Sequence, residues 1–188
     1  MLDYNEIKPK KYIVFNDEPY EVLDSHVFRK QQGKPVNQTK LRNLMNGKVI
    51  ENSFHQSESV AEAEIEKQTI KYLYTNRGEY WFTEEGNLSN RFTLSPDLLG
   101  DQVKYIKPND LIDLMTFGDK PVGLDIPIKV KLKVISAPPA IKGNTAQGGN
   151  KQVEIETGAN IITPMFIEEG DIIEINTKTG EYTGRATN

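Results

Sequence analysis

The sequence contains no cysteine. That excludes disulfides, thiolate metal sites and cysteine nucleophiles outright. Histidine is almost as scarce: His26 and His55 are the only two, and without cysteine partners they suggest no zinc site. No apolar run approaches the roughly 20 residues needed to cross a bilayer as a helix. Met1 to Lys11 mixes acids and bases and holds no apolar core of a secretory signal, so the expected setting is the cytoplasm, with no membrane involved. HExxH, Walker A, GxGxxG and GxSxG patterns are all missing. Gly148-Gly149 lies in a polar stretch without the strand-to-helix context of a phosphate cradle. Adjacent acids such as Glu84-Glu85 and Glu168-Glu169 read as solvated surface, so the expectation is a protein that is not an enzyme and needs no cofactor or metal.

An overall basic excess is also missing. The net charge is −4, whereas nucleic-acid binders usually carry positive charge. The distribution matters more than the sum. Arg29, Lys30, Lys34, Lys40, Arg42 and Lys48 fall in a stretch with no Asp or Glu, while acids gather in Glu51–Glu66 and Glu154–Glu181. A basic N-terminal lobe on an acidic body can bind RNA through one face.

Hydrophobic residues make up 37% of 188, which suits several small cores better than one large one. Strand signals dominate. Lys11–Phe15 and Tyr20–Leu23 flank Asn16-Asp17-Glu18-Pro19 and predict a hairpin. Lys71–Tyr74 and Glu79–Phe82 predict a second around Asn76-Arg77-Gly78. Lys129 to Val134 alternates lysine with apolar residues, so one strand face is buried and the other wet. Asp171–Ile175 is expected to pair with Glu181–Thr183 through Lys178-Thr179-Gly180. Two short stretches read as helical: Ser59-Val60-Ala61-Glu62, with capping-box spacing, and Leu94 to Gly100, opening at Ser95-Pro96-Asp97. Composition shifts divide the chain into segments 1–64, 65–127 and 128–188, each about 60 residues and near the lower limit for independent folding. Short, evenly spaced strands with Gly, Asn and Pro punctuation predict an all-β protein of small barrels.

The most informative local feature is Ser25 to Val36. Two apolar runs flank a polar tip with a Gly and a Pro, which predicts a projecting hairpin. Arg29, Lys30, Gln31, Gln32, Gly33 and Lys34 form that tip, and no acid accompanies them. Local physics leaves two readings: a tip kept soluble by charge, which it favours, and a cationic finger for a phosphate-rich target.

Across its whole length the chain resembles the bacterial elongation factor P family. The resemblance is carried by Phe15-Asn16-Asp17-Glu18-Pro19-Tyr20-Glu21-Val22, Lys40-Leu41-Arg42-Asn43-Leu44 with Gly47, Tyr72-Leu73-Tyr74, Tyr80-Trp81-Phe82, Ile141-Lys142-Gly143-Asn144-Thr145-Ala146 and Thr179-Gly180-Glu181-Tyr182. The C-terminal signature is the most specific: Lys151, Val153, Gly158, Ile161, Pro164, Ile167 and Gly170, with Thr163 where the family usually has Val. The resemblance implies an SH3-like (KOW-like) barrel followed by two OB-fold barrels, in an L shape similar to tRNA. It implies a monomer that binds the 70S ribosome between the P and E sites, touching ribosomal RNA beside the P-site peptidyl-tRNA, and that relieves stalling at consecutive prolines. The Arg29–Lys34 tip would reach the CCA end of that tRNA, and Lys40 and Arg42 would face RNA. The third-domain loop Gly143, Asn144, Thr145, Ala146, Gln147, Gly148 and Gly149 would approach E-site mRNA, with Tyr182 and Arg185 as further RNA contacts.

One departure bears on chemistry. The family usually places a Lys, or in one branch an Arg, at the loop tip, often modified. Ungapped alignment puts Gln32 there, a neutral amide that offers no amine to modify. Either Gln32 acts unmodified with Arg29, Lys30 and Lys34 supplying charge, which the loop length favours, or the loop shifts and Lys34 or Lys30 becomes the tip. Two rival readings are a paralogue with altered preference and a generic OB-fold RNA-binding module using Tyr72, Tyr74, Tyr80 and Trp81 as a stacking surface.

Overall fold

The computed structural model describes residues 1–29, 33–139 and 149–186. It is all-β, in three sheets. The first contains β1 (Leu2–Asp3), β2 (Tyr12–Phe15), β3 (Glu18–Phe28), β4 (Val36–Asn43), β5 (Val49–His55) and β6 (Ser59–Glu62), ordered β1-β6-β2-β3-β4-β5. The second contains β7 (Ile65–Asn76), β8 (Glu79–Glu84), β9 (Asn87–Thr93), β10 (Leu111–Phe117) and β11 (Lys120–Asp125), ordered β11-β10-β7-β8-β9. The third contains β12 (Lys129–Ser136), β13 (Asn150–Ile155), β14 (Asn160–Pro164), β15 (Ile172–Asn176) and β16 (Tyr182–Arg185), ordered β14-β13-β12-β15-β16. Each ladder is open among the described residues, where sequence predicted barrels. In the first sheet the end strand β1 is two residues long and pairs only through Leu2 and Asp3. Packing groups the chain into two compact units: Met1–Gln68 with Ser95–Leu98 and Leu114–Leu124, and Thr69–Leu94 with Leu99–Asp113 and Asp125–Asn188.

The predicted hairpins form, for local reasons. Asn16 and Asp17 both take positive φ (52° and 63°), as a two-residue primed turn requires. The connector therefore shrinks from four residues to two, and Glu18 and Pro19 join β3 opposite Phe15 and Val14. Pro19 sits at the strand's start, where a missing N–H disturbs the ladder least. Arg77 and Gly78 make the second turn in the same way, at φ 51° and 82°. The short helix Pro96–Leu99 forms where predicted and leads into a 3-10 turn, Asp101–Tyr105. Ser59–Glu62 is a correction: it is strand β6, not a helical turn. Val60 pairs with Leu2, and Ala61 and Glu62 pair with Val14 and Ile13. A single helical turn cannot nucleate alone, so ladder bonds on both sides decide its conformation.

In the first unit Ile7, Ile13, Val22 and Leu41 are fully buried, and Phe15 closes the core edge-on to Tyr20 and Phe54 at 5.7 and 5.9 Å. Asn37 is buried beside them. Its amide nitrogen donates to the Tyr4 and Ile7 carbonyls at 2.5 and 2.9 Å, tying the N-terminal segment to β4. In the second unit, the third sheet buries Leu132, Val134, Val153, Ile155, Ile161, Ile167, Ile173 and Ile175. Full burial of each such side chain contributes about 2 kcal/mol. The lysines of β12 are exposed while Leu132 and Val134 are buried, as the alternation predicted. Thr163, where the family usually has Val, is buried on β14 and donates its hydroxyl to the Lys151 carbonyl at 3.4 Å. Gly180 turns the last hairpin at φ 74°, and a Cβ there would lie 2.5 Å from the Tyr105 hydroxyl. No helix among the described residues is long and apolar enough to cross a membrane.

Two predictions follow from this packing. Asn37→Ala should destabilise the protein by about 2 kcal/mol, because the buried Ile7 carbonyl and the part-buried Tyr4 carbonyl lose their donor. Gln38→Ala, on the opposite face, should stay within about 0.5 kcal/mol; denaturant melts of both variants check this. Glu174 accepts hydrogen bonds from Lys129 Nζ at 2.7 Å and Thr183 Oγ1 at 2.8 Å, which hold its carboxyl below the usual range. Its folded value is below its unfolded value, so its contribution is present above the unfolded value and is lost as pH falls through the folded one. An NMR titration should place Glu174 low, and Lys129→Ala should move it up.

Candidate nucleic-acid interface

The hairpin β3–β4 has two faces because side chains alternate along a strand. Inward are Asn37, Thr39, Leu41 and Asn43, all buried. Thr39 donates to the Asn52 carbonyl at 2.9 Å, Asn43 donates to Glu18 at 2.6 Å while accepting from the Met45 amide at 2.7 Å, and Asn37 is held through its amide nitrogen alone, its Oδ1 being buried without a partner among the described residues. The inward face is thereby committed to holding the sheet.

The outward face is ordered by register. Asp24, Lys40 and Glu51 form one cross-strand row, and Glu21, Arg42 and Val49 the next. Arg42 is ion-paired with Glu21, and Lys40 stands between two acids. The two cations predicted to face RNA are therefore largely offset by acids that are distant in sequence. Towards the tip the rows change character. His26, Gln38 and Ser53 make one, then Phe28, Val36 and His55. His26 and Phe28 lie nearly parallel, with ring centroids 6.1 Å apart and planes at 17°.

At the tip, Arg29 Nε donates to the Gly33 carbonyl at 2.9 Å, closing the loop base. Arg29, Gly33 and Lys34 are exposed. Lys30, Gln31 and Gln32 lie outside the described residues. The described tip thus presents cations, and no acid occurs between Ser25 and Ile50. Such a surface attracts phosphate.

The other predicted contacts are elsewhere in the chain. Gly143, Asn144, Thr145, Ala146, Gln147 and Gly148 lie outside the described residues. Gly149 takes φ 73°, and its carbonyl accepts from the Met165 amide at 3.2 Å. Tyr182 is half-buried and packs against the third-sheet core. Arg185 is ion-paired with Asp171 at 2.6 Å. Of the aromatics considered for an OB-fold stacking surface, Tyr72 is buried against Phe82 at 5.6 Å. Burial raises its hydroxyl pKa, partly offset by the hydrogen bond to Thr75. Tyr80 packs on Tyr72 at 5.8 Å. Tyr74 and Trp81 stack at 6.3 Å, with Tyr74 more exposed. Among the described residues no cluster of three His, Asp or Glu could hold a metal ion.

Sequence reasoning passed over His26, Phe28 and His55 as functional candidates. His26 and Phe28 are two apart, so their shared face could have been read from strand periodicity. His55 joins them only through the β4–β5 ladder.

Three family models match the chain in succession. Residues 3–60 match the elongation factor P KOW-like domain, residues 65–124 the elongation factor P OB domain, and residues 130–185 the elongation factor P C-terminal domain. The matches assign the first sheet to a KOW-like domain and the second to an OB domain. Full-length relatives agree. The chain is 37% identical over 185 residues to elongation factor P of Carboxydothermus hydrogenoformans, covering 98% of this chain and 100% of that one. It is 36% identical over 186 residues to the elongation factors P of Moorella thermoacetica and Thermotoga maritima, covering 99% of this chain and 100% of each relative. With its three domain matches in order and its relatives matched from end to end, the chain belongs to the elongation factor P family of translation factors.

Proposed function

We propose that the protein acts in the cytoplasm as a non-enzymatic monomer on the 70S ribosome, binding between the P and E sites beside the peptidyl-tRNA and relieving stalling at consecutive prolines. Its working parts are three domains, 1–64, 65–127 and 128–188. The observation that carries this reading is the β3–β4 hairpin. It is a long antiparallel arm whose tip exposes Arg29 and Lys34, while the charges nearer its base face acids across the strands. The tip reaches the CCA end of the tRNA, and residues 143–149 approach E-site mRNA. The factor works by positioning: contacts hold a sluggish peptidyl-tRNA in a reactive geometry and reduce the entropic part of the barrier. The ribosome supplies the chemistry.

Gln32 acts in this scheme as an unmodified amide, with charge supplied by its neighbours. The same residue favours a second reading, a paralogue that serves a different set of stall sites.

Reconstituted translation through a proline run checks the proposal. Recombinant, unmodified protein should speed passage, and Arg29→Ala combined with Lys34→Ala should lower that effect roughly tenfold through lost charge-assisted contacts. Gln32→Ala should also weaken it; unchanged activity removes Gln32 from the site. Intact-mass measurement of protein from its native host should show no added mass, and a modification on Lys30 or Lys34 would overturn the unmodified tip.

A further inference from the structure

The outward face of the β3–β4 hairpin carries an arrangement that phosphate binding does not use. His26 and Phe28 stand two residues apart on the same strand face, with nearly parallel rings. His26 is exposed and Phe28 half-buried. Val36 lies beside Phe28 in the next strand, and His55 lies beyond it. Both histidines of the chain therefore share the face that carries Phe28. The core does not require this, because the first core is filled from the other face.

Charge selects the occupant. Arg29 and Lys34 adjoin His26 and Phe28, whereas the acids lie farther off: Asp24 and Glu51 stand in the row beyond His26, Gln38 and Ser53, and the Glu58 carboxylate is taken up by the His55 backbone amide two strands from Phe28. An aromatic surface next to exposed cations fits a single-stranded nucleic acid, whose bases stack while its phosphates meet the cations. It does not fit a duplex, because paired bases have their faces already covered. An apolar peptide would leave the adjoining cations unmatched.

We infer that His26 and Phe28 form a stacking platform for an unpaired nucleobase of the RNA whose phosphates Arg29 and Lys34 engage. The inference rests on the ribosomal reading above and adds a base contact to it. Arg29 and Lys34 bind without regard to pairing, and the platform distinguishes an unpaired end from a helix.

The test uses the full chain and an RNA stem-loop with a short single-stranded 3′ end carrying a fluorescent purine analogue. Wild-type protein should quench the analogue and should bind a blunt stem-loop more weakly. His26→Ala and Phe28→Leu should each lose most of the quenching and bind the overhang roughly tenfold more weakly, with an unchanged salt dependence. Phe28→Trp, which keeps an aromatic face, should retain the quenching and so separates loss of stacking from misfolding. Lys34→Ala should lower the salt dependence and keep the quenching at saturation. Quenching that survives in both His26→Ala and Phe28→Leu, or equal binding of the blunt stem-loop, overturns the platform. Failure of the wild type to speed a proline run while quenching is intact counts against the ribosomal reading and leaves the platform supported.

Discussion

The Asn37 amide sets the geometry on which the hairpin depends. A buried amide is costly unless it is hydrogen-bonded. Its nitrogen meets the Tyr4 and Ile7 carbonyls, so β4 is pinned against the N-terminal segment where the arm leaves the core. A slip of one residue would turn Asn37, Thr39 and Leu41 outward and carry Lys40 and Arg42 inward. Register, the filling of the first core and the composition of the outward face are thus consequences of one constraint.

The same register decides the electrostatics. Read along the chain, Arg29 to Lys48 is an uninterrupted basic stretch. Read across the sheet, Lys40 lies between Asp24 and Glu51, and Arg42 is paired with Glu21. Charge pairings at the protein surface add little stability. Their effect is on the field: along the β3–β4 hairpin they set acids against Lys40 and Arg42 and leave Arg29 and Lys34 at the tip without an acid in register. A protein of net charge −4 can therefore present a local cationic surface without a basic overall composition.

The third sheet follows the same logic with a different result. Two of its outward cations meet acids, Lys129 with Glu174 and Arg185 with Asp171. Its inward face is almost wholly Val, Leu and Ile. Tyr182 packs against that interior, and Arg185 is held by a carboxylate. Both looked equally suited to RNA contact in the linear sequence, where neither the core beneath Tyr182 nor the carboxylate beside Arg185 is visible.

The sequence by itself determined the all-β character, the presence of turns within Asn16–Pro19, Asn76–Gly78 and Lys178–Gly180, the alternation of β12 and the family resemblance. These are local or whole-chain signals: a turn needs only its own residues to accept positive φ, and alternation needs only a strand with one wet face. Tertiary structure alone decided that Ser59–Glu62 is a strand, that Arg42 meets Glu21, that the ladders stay open among the described residues, and that His55 joins His26 and Phe28 on one face. Each of these depends on hydrogen bonds between strands far apart in the chain, and no local preference encodes which strand becomes the neighbour.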